Sequence, residues 1–374
     1  MSRALTGLAL LVTLWSPAGS AAAAGPPVDA RAWIVENAAT GEVLASHEAH
    51  ERVPIASLTK LMTVLVTLEH RRLSDVVHVD PRVTHVGEST VNLRGGESIT
   101  VRDLVKAALI QSANDAADAL AYSVSPDFAS FAALMNAKAR ALGLSDTHFV
   151  RPDGLDAPGH VSSARDVTQL ARDLMHIRFV REAVRERTDT IAGGRTLHTW
   201  NDLLGVLPNV IGVKTGHTGA AGWSQVAAVR GRGVTIYATI LGGPTRAQRN
   251  SDLTALLIWG LAQYRVVPAI RAGRAYALAA LPYGKTALAL VASRPLLAVA
   301  RVRRPLTERV VAATAVSLPV RRGQVLGHVE VWAGKRLVGR RPLVASRSVA
   351  RPGLAGRVGW YAGRTVHHLL GLLT

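Results

Sequence analysis

The 374-residue sequence predicts an α+β fold: a larger helix-and-sheet domain, a small all-β domain and a C-terminal amphipathic helix. Three observations predict it. First, a strand pair opens the chain, helix-period segments follow, and strand-period segments return before residue 240. That order suits an antiparallel sheet with helices, not an alternating parallel one. Second, the charge distribution breaks at Tyr264. Residues 265–374 hold 19 Lys and Arg against only Glu308 and Glu330, whereas residues 1–264 hold 25 basic and 24 acidic side chains. Third, the segments after the break are short apolar runs separated by Gly, Pro and Arg, as in small all-β modules. The expected boundaries are 1–24, 25–264, 265–350 and 351–374.

Composition narrows the function classes. Hydrophobic residues are 48% and charged residues 19%, which excludes a disordered chain. There is no cysteine, so disulfide frameworks, thiolate nucleophiles and thiolate metal sites are excluded. The net charge of +18 points to an anionic membrane, an anionic polymer or nucleic acid.

The elements follow in order. Arg3, the apolar run Ala4 to Trp15 and the small residues Ala18 to Ala24 read as a secretory signal, cleaved between Ala21 and Ala24. Ala32 to Glu36 and Glu42 to Ser46 flank a Gly-containing loop and read as a hairpin. Ser57 to Leu68 reads as a buried helix. Val101 to Ala121 is a second helix pattern, interrupted by Ser112, Asn114 and Asp115. Ser125 to Leu142 is a third, closed by Gly143. Ser163, with Asp166 three residues on, reads as a helix cap. Ile211 to Lys214, Trp223 to Val229 and Val234 to Ile240 read as strands, and Thr245 to Gln263 as a helix. Beyond Tyr264, strands are expected over Val310 to Val320, Gln324 to Trp332 and Arg336 to Ala345.

Three short motifs carry chemistry: Ser57-Leu-Thr-Lys60, Ser112-Ala-Asn114 and Lys214-Thr-Gly216. Each alone is weak. Together, in this order and on helix, helix and strand, they resemble the motif set of penicillin-recognising serine enzymes. The flanks narrow the resemblance. Ile55 to Thr63, Ser112 to Ala117 and Gly212 to Thr218 are similar to low-molecular-mass penicillin-binding proteins of the D-alanyl-D-alanine carboxypeptidase family. Phe149 to Leu155 and Ser163 to Asp166 resemble that family's connecting segments. The resemblance implies a β-lactamase/transpeptidase-like domain and a serine peptidase that trims peptidoglycan stem peptides and is acylated by β-lactams. It implies no cofactor and no metal.

The residue chemistry suits those roles. Ser57 and Lys60 share one helix face, and a desolvated lysine amine can activate a serine. Burial and the positive charge of Lys214 are both expected to lower the Lys60 pKa. Ser57 at a helix start offers a free N–H for an oxyanion hole, and the His217 N–H is the expected second donor. Ser112 suits a proton relay, and whether it or Lys60 takes the first proton stays open. Asn114 suits an amide that orients Lys60 and a substrate carbonyl. Lys214 and Thr215 suit a substrate carboxylate, with Gly216 and Thr218 beside them. Family members often carry an arginine shortly before the Lys-Thr-Gly strand. His198-Thr-Trp-Asn201 stands there instead and Arg195 is out of step, so Lys214, Thr215 and Thr218 are expected to carry more of the recognition.

Other features weigh less. Asp166 reads as a helix cap or buried ion-pair partner. The loops Gly87 to Thr90 and Arg94 to Gly96 fit either the cleft rim or plain turns. His47-Glu-Ala-His50 is one residue short of a zinc-peptidase motif. Glu182 and Glu186 start no loop resembling the water-activating one of a class A β-lactamase. A D,D-endopeptidase or a β-lactamase using the same site, and a non-catalytic penicillin-binding wall protein, remain the alternatives. In the tail, Val358, Ala362, Val366, Leu369, Leu370 and Leu373 fall on one side of a helical wheel, opposite Arg357, Arg364 and His368 and flanked by Trp360 and Tyr361. Such a helix suits an anionic membrane surface. With the signal, it implies a secreted, peripherally membrane-associated protein, not a nucleic-acid binder.

Overall fold

The computed structural model describes residues 8–13 and 25–370. The chain forms two compact units, residues 23–262 and residues 263–374, the latter joined by the N-terminal segment.

The chain's first strand, β1 (Leu8–Thr13), belongs to the second unit. The first unit then opens with the expected hairpin, β2 (Ala32–Asn37) and β3 (Glu42–His47). A 3-10 turn over Ala56–Thr59 runs straight into α1 (Lys60–His70). Strands β4 (Val76–His78) and β5 (Ser98–Thr100) pair, and α2 (Val101–Lys106) follows. A π-turn over Ala107–Gln111 separates it from α3 (Asn114–Val124). The helices α4 (Phe128–Ala141), α5 (Ala164–Leu174) and α6 (Arg178–Ala183) come next. A small hairpin, β6 (Thr188–Ile191) and β7 (Arg195–His198), and a single turn, α7 (Leu203–Val206), precede β8 (Val210–Thr218). The unit closes with β9 (Gly222–Gly231), β10 (Val234–Gly243) and α8 (Arg246–Ala262).

Five strands form one antiparallel sheet in the order β3-β2-β10-β9-β8. The interiors of β9 and β10 are buried over six consecutive residues, Ser224 to Val229 and Ile236 to Leu241. A strand buried at every position is covered on both faces, and helices α5 and α8 both pack on β10 and β2. The helix α1 is buried from Lys60 through Thr67, enclosed by α3, α4 and α5. A helix buried all round lies in the core, and that placement takes the Lys60 amine out of water.

Caps end the helices where side chains can reach orphan amides. Ser163 Oγ accepts from the Asp166 N–H at 3.2 Å, as the capping pattern predicted. The Asp166 carboxylate meanwhile accepts from the Asp146 N–H and the Thr147 hydroxyl, a structural use. Gly143, at φ +71°, closes α4.

The second unit continues with β11 (Tyr264–Ile270), β12 (Ala275–Ala279), β13 (Leu288–Ala292), β14 (Leu296–Arg301), β15 (Thr307–Ala313), β16 (Val325–Ala333) and β17 (Arg336–Ala345). Six strands pair in the order β1-β15-β16-β17-β13-β12, while β11 pairs with β14. Their core gathers Ile270, Leu290, Val310, Val329, Val331 and Leu343. The sequence expected three strands here. It carried β15 past its end to Val320, placed the start of a strand at Gln263 to Pro268, where β11 lies, and missed β12, β13 and β14. Those three are rich in alanine, whose strand propensity is low, so their alternation is faint.

Two further expectations meet the structure. The run read as the apolar part of a signal contains β1, which adds antiparallel to β15 with Leu8 opposite Ala313 and Thr13 opposite Glu308. An unpaired strand edge accepts such a segment readily. The proposed cleavage positions lie outside the described residues. The tail forms α9 (Leu354–Leu370), with Leu373 outside the described residues. Trp360 and Tyr361 do not simply flank its charges: both stand edge-on to Tyr283 of the same unit, at 5.6 and 6.3 Å between ring centres.

Candidate active site

The turn that carries Ser57 is braced from below. Ala56 has a left-handed backbone, φ +48°, which tips Ser57 to the front of α1. The Ala56 carbonyl accepts from the Thr59 hydroxyl at 2.8 Å, and Thr59 Oγ1 lies 2.7 Å from His160 Nε2. His160 Nδ1 accepts from the Val150 N–H at 3.0 Å, so its proton sits on Nε2 and is donated to Thr59. Burial first, with Arg151 and His148 adding to it, lowers the His160 pKa to about 4 and keeps the ring neutral. Gly154 completes the brace: a Cβ there would stand 2.1 Å from the Ala56 carbonyl oxygen. The segment Phe149 to Leu155, which the motifs suggest only as a connector, is therefore the underside of the site.

Lys60 Nζ lies 2.9 Å from Ser57 Oγ, 2.6 Å from Asn114 Oδ1 and 2.6 Å from the Asp153 carbonyl oxygen. The residue is fully buried. Burial is the largest influence and lowers its pKa to about 8, against the opposing pull of Asp153, Asp118, Glu88 and Asp115. The sequence expected burial and Lys214 to act together. Burial dominates for Lys60, while the repulsion is felt at Lys214, which is held well below the usual ammonium range by burial, Lys60 and Arg249.

The second motif sits where the helix pattern breaks. The π-turn ends on Ser112, left-handed at φ +65°, before α3 begins at Asn114. Lys214 Nζ donates to Ser112 Oγ at 2.7 Å and to the Thr215 carbonyl at 2.8 Å. Asn114 Nδ2 donates to the Gly87 carbonyl at 3.0 Å, and its backbone N–H to the Ser89 carbonyl at 2.7 Å. The Asp115 carboxylate accepts the N–H groups of Val91 and Leu93. The loop 87–93 is thereby fastened to the start of α3 and forms one wall.

The third motif lies on β8. Gly216 presses on the Ser57 turn: a Cβ there would be 3.0 Å from the Ile55 carbonyl oxygen and 3.1 Å from Ser57 N. Thr215, Gly216 and His217 line a cleft of about 220 Å³ with Ser57, Ser112 and Asn114. Thr218 is a correction. Its hydroxyl donates to Asp156 Oδ1 at 2.6 Å and accepts from the Ala221 N–H, and it does not line the cleft. It holds the turn after β8, because the strand's alternation points it away from Thr215's neighbours.

The cleft also contains residues that the motifs do not reveal. Arg246 and Arg249, from the first turn of α8, line it together with Trp200 and Trp223. Arg246 is clamped by both Asp202 oxygens at 2.6 and 2.8 Å. Arg249 is 2% exposed and 5.7 Å from the Trp223 ring centre, and burial lowers its pKa to about 10. The His217 ring stacks on Trp223 at 4.0 Å. No arginine directly precedes the Lys-Thr-Gly strand, yet two from far later in the sequence line the cleft. Arg195 is engaged elsewhere, paired with Glu97 at 2.8 Å.

The remaining candidates lie outside the cleft. Arg94 offers its N–H to Glu97. Glu182 is paired with Arg178, and neither it nor Glu186 lines the cleft. His47 stacks on Trp33 and His50 bonds Asp146 at 2.8 Å.

The antiparallel sheet with its buried helix and the three motifs on one cleft define a penicillin-recognising serine enzyme. Comparison with known proteins narrows the class. Residues 19–245 match the D-alanyl-D-alanine carboxypeptidase family, and residues 264–351 match the penicillin-binding protein 5 C-terminal domain. The D-alanyl-D-alanine carboxypeptidase DacC of Escherichia coli is 31% identical over 99% of this chain and 97% of its own. Among solved structures, penicillin binding protein 6B from Escherichia coli is 27% identical at a TM-score of 0.65, over 87% of this chain and 98% of that one. Penicillin-binding protein D2 from Listeria monocytogenes, in an ampicillin-bound form, is 31% identical at a TM-score of 0.58, over 63% of this chain and 99% of that one. The chain belongs to the D-alanyl-D-alanine carboxypeptidase family. It is a serine peptidase hydrolase acting on peptidoglycan.

Proposed function

We propose that Ser57 forms the acyl-enzyme and that the residues around it divide the work as follows. Neutral Lys60 has two hydrogens, which go to Asn114 Oδ1 and the Asp153 carbonyl. Its lone pair then faces Ser57 Oγ. The serine oxygen attacks the carbonyl between the last two D-alanines, and its proton passes to Lys60. The Ser57 and His217 N–H groups receive the oxyanion. Ser112, bonded to Lys214, relays a proton to the leaving amine as the C–N bond breaks. Water then cleaves the Ser57 ester. The substrate's terminal carboxylate rests on Lys214, the Thr215 hydroxyl and Arg249, and charge-assisted contacts of this kind give specificity for a free C-terminus. The second Asn114 Nδ2 hydrogen serves a substrate carbonyl. β-Lactams acylate the same serine.

The observation that carries this reading is the threefold contact of the buried Lys60 amine. It is tested by mass spectrometry after penicillin treatment, with tryptic localisation of the adduct. An adduct on the Ser57 peptide is expected. Its absence there, or full D-alanine release by Ser57→Ala, would refute the assignment.

The chain is further proposed to act outside the cytoplasm, delivered by its N-terminal signal and held on an anionic membrane surface by α9 and the basic second unit. Val358 is 65% exposed and Leu354 75%, leaving apolar surface on α9. Among the described residues no helix is long and apolar enough to cross a membrane. Retention on anionic liposomes should fall when residues 355–374 are removed. Unchanged retention would assign binding to the β unit.

A further inference from the structure

We propose that Glu88 selects the substrate: its carboxylate receives a free side-chain amine carried by the residue immediately before the two D-alanines. The inference rests on the cleft assignment above and extends it to the donor side of the scissile bond.

The cleft is electrically polar. Arg246 and Arg249 line it, and Glu88 is the one acidic side chain among the described residues that do. Glu88 belongs to the part of the wall whose backbone is tied to Asn114. The Gly87 carbonyl accepts from Asn114 Nδ2 and the Ser89 carbonyl from the Asn114 N–H. A peptide with its carboxylate on Lys214, Thr215 and Arg249, and its scissile carbonyl on Ser57, must run its earlier residues past Asn114. That path leads to the loop 87–89.

The Glu88 side chain is exposed and makes no hydrogen bond or ion pair among the described residues. The two cations that feel its charge are held by others: Lys60 by Asn114 and the Asp153 carbonyl, Arg151 by both Asp153 oxygens at 2.6 Å. The backbone of Glu88 is left-handed at φ +65°, a conformation costly for a residue with a Cβ. The two flanking bonds to Asn114 keep it there, so the carboxylate is presented by a fixed loop. An unpaired carboxylate carried by a tied loop on the wall of a peptide cleft suits a cationic amine.

The test compares Nα-acetyl-L-lysyl-D-alanyl-D-alanine with its Nε-acetylated counterpart, which lacks the charge. D-Alanine release is measured on the full chain, after penicillin titration of the active sites. The wild type should favour the free amine by about threefold in kcat/KM, mainly through KM, at low salt. The preference should shrink in high salt. Glu88→Gln should bring the ratio of the two peptides to about one, and Glu88→Lys should invert it. A wild-type ratio of one, or a preference that survives in Glu88→Gln, overturns the inference while leaving the cleft assignment standing. Failure to release D-alanine from either peptide overturns both.

Discussion

Gly216 lies directly against Ser57: a Cβ at 216 would stand 3.1 Å from the serine's backbone nitrogen and 3.0 Å from the Ile55 carbonyl oxygen. Neither atom can give way without moving the turn, since both are backbone. The Gly216→Ala variant should therefore displace the nucleophile from the strand. Penicillin acylation is expected to slow about 100-fold, the scale of losing one oxyanion donor. Stopped-flow acylation beside a thermal melt checks this. Normal acylation would show that the strand and turn do not share the oxyanion.

Lys60, as the proposed base, is expected to give the reaction its pH dependence. Its pKa is lowered to about 8, so at neutral pH most molecules hold it protonated. The base must be neutral, hence kcat/KM should rise about tenfold per unit below pH 8 and level off above it. Lys60→Arg removes the neutral form altogether and should lower acylation by about 1000-fold or more. A pH profile flat from 6 to 9 would remove Lys60 from the role of base.

His160 links stability to pH. Its pKa is about 4 in the folded chain against the ordinary 6.5 of a solvated imidazole, so the unfolded chain binds the proton first. The stabilisation is whole above pH 6.5 and is lost as pH falls towards 4, by about 3 kcal/mol at about 1.4 kcal/mol per unit. Urea unfolding of the wild type and His160→Gln across that window should show the wild type losing this much more. Parallel curves would mean that the ring titrates alike in the folded and unfolded chains.

Arg249, the proposed carboxylate partner, is expected to discriminate on the C-terminus. Its replacement by Gln should lower kcat/KM for a D-Ala-D-Ala acid by roughly 10- to 100-fold, the range of a charged hydrogen bond. The corresponding C-terminal amide should lose much less. Equal losses on acid and amide would make Arg249 a packing residue that merely supports Trp223.

Much of the chemistry was legible in sequence because it is local. Ser57 and Lys60 are one helical turn apart, and no tertiary information is needed to place them on one face. The break at Tyr264 was legible because charge is additive along a chain. The two arginines on α8 were not legible. No spacing rule links them to Lys214, and only the antiparallel crossing of β8, β9 and β10 carries the start of α8 back to the cleft. Thr218 was misread for the related reason that a motif extended by two residues says nothing of where the strand turns.

The sequence by itself singled out Ser57 and Lys60, the Ser112 and Asn114 pair and the Lys-Thr-Gly strand as candidates, because residue type and short spacing suffice for them. Only the tertiary structure decided how deeply Lys60 is buried, that Arg246 and Arg249 line the cleft, and that Glu88 lines it unpaired. Those are properties of what surrounds a side chain. Packing of distant segments sets dielectric, distance and exposure, and none of these is written in the order of neighbouring residues.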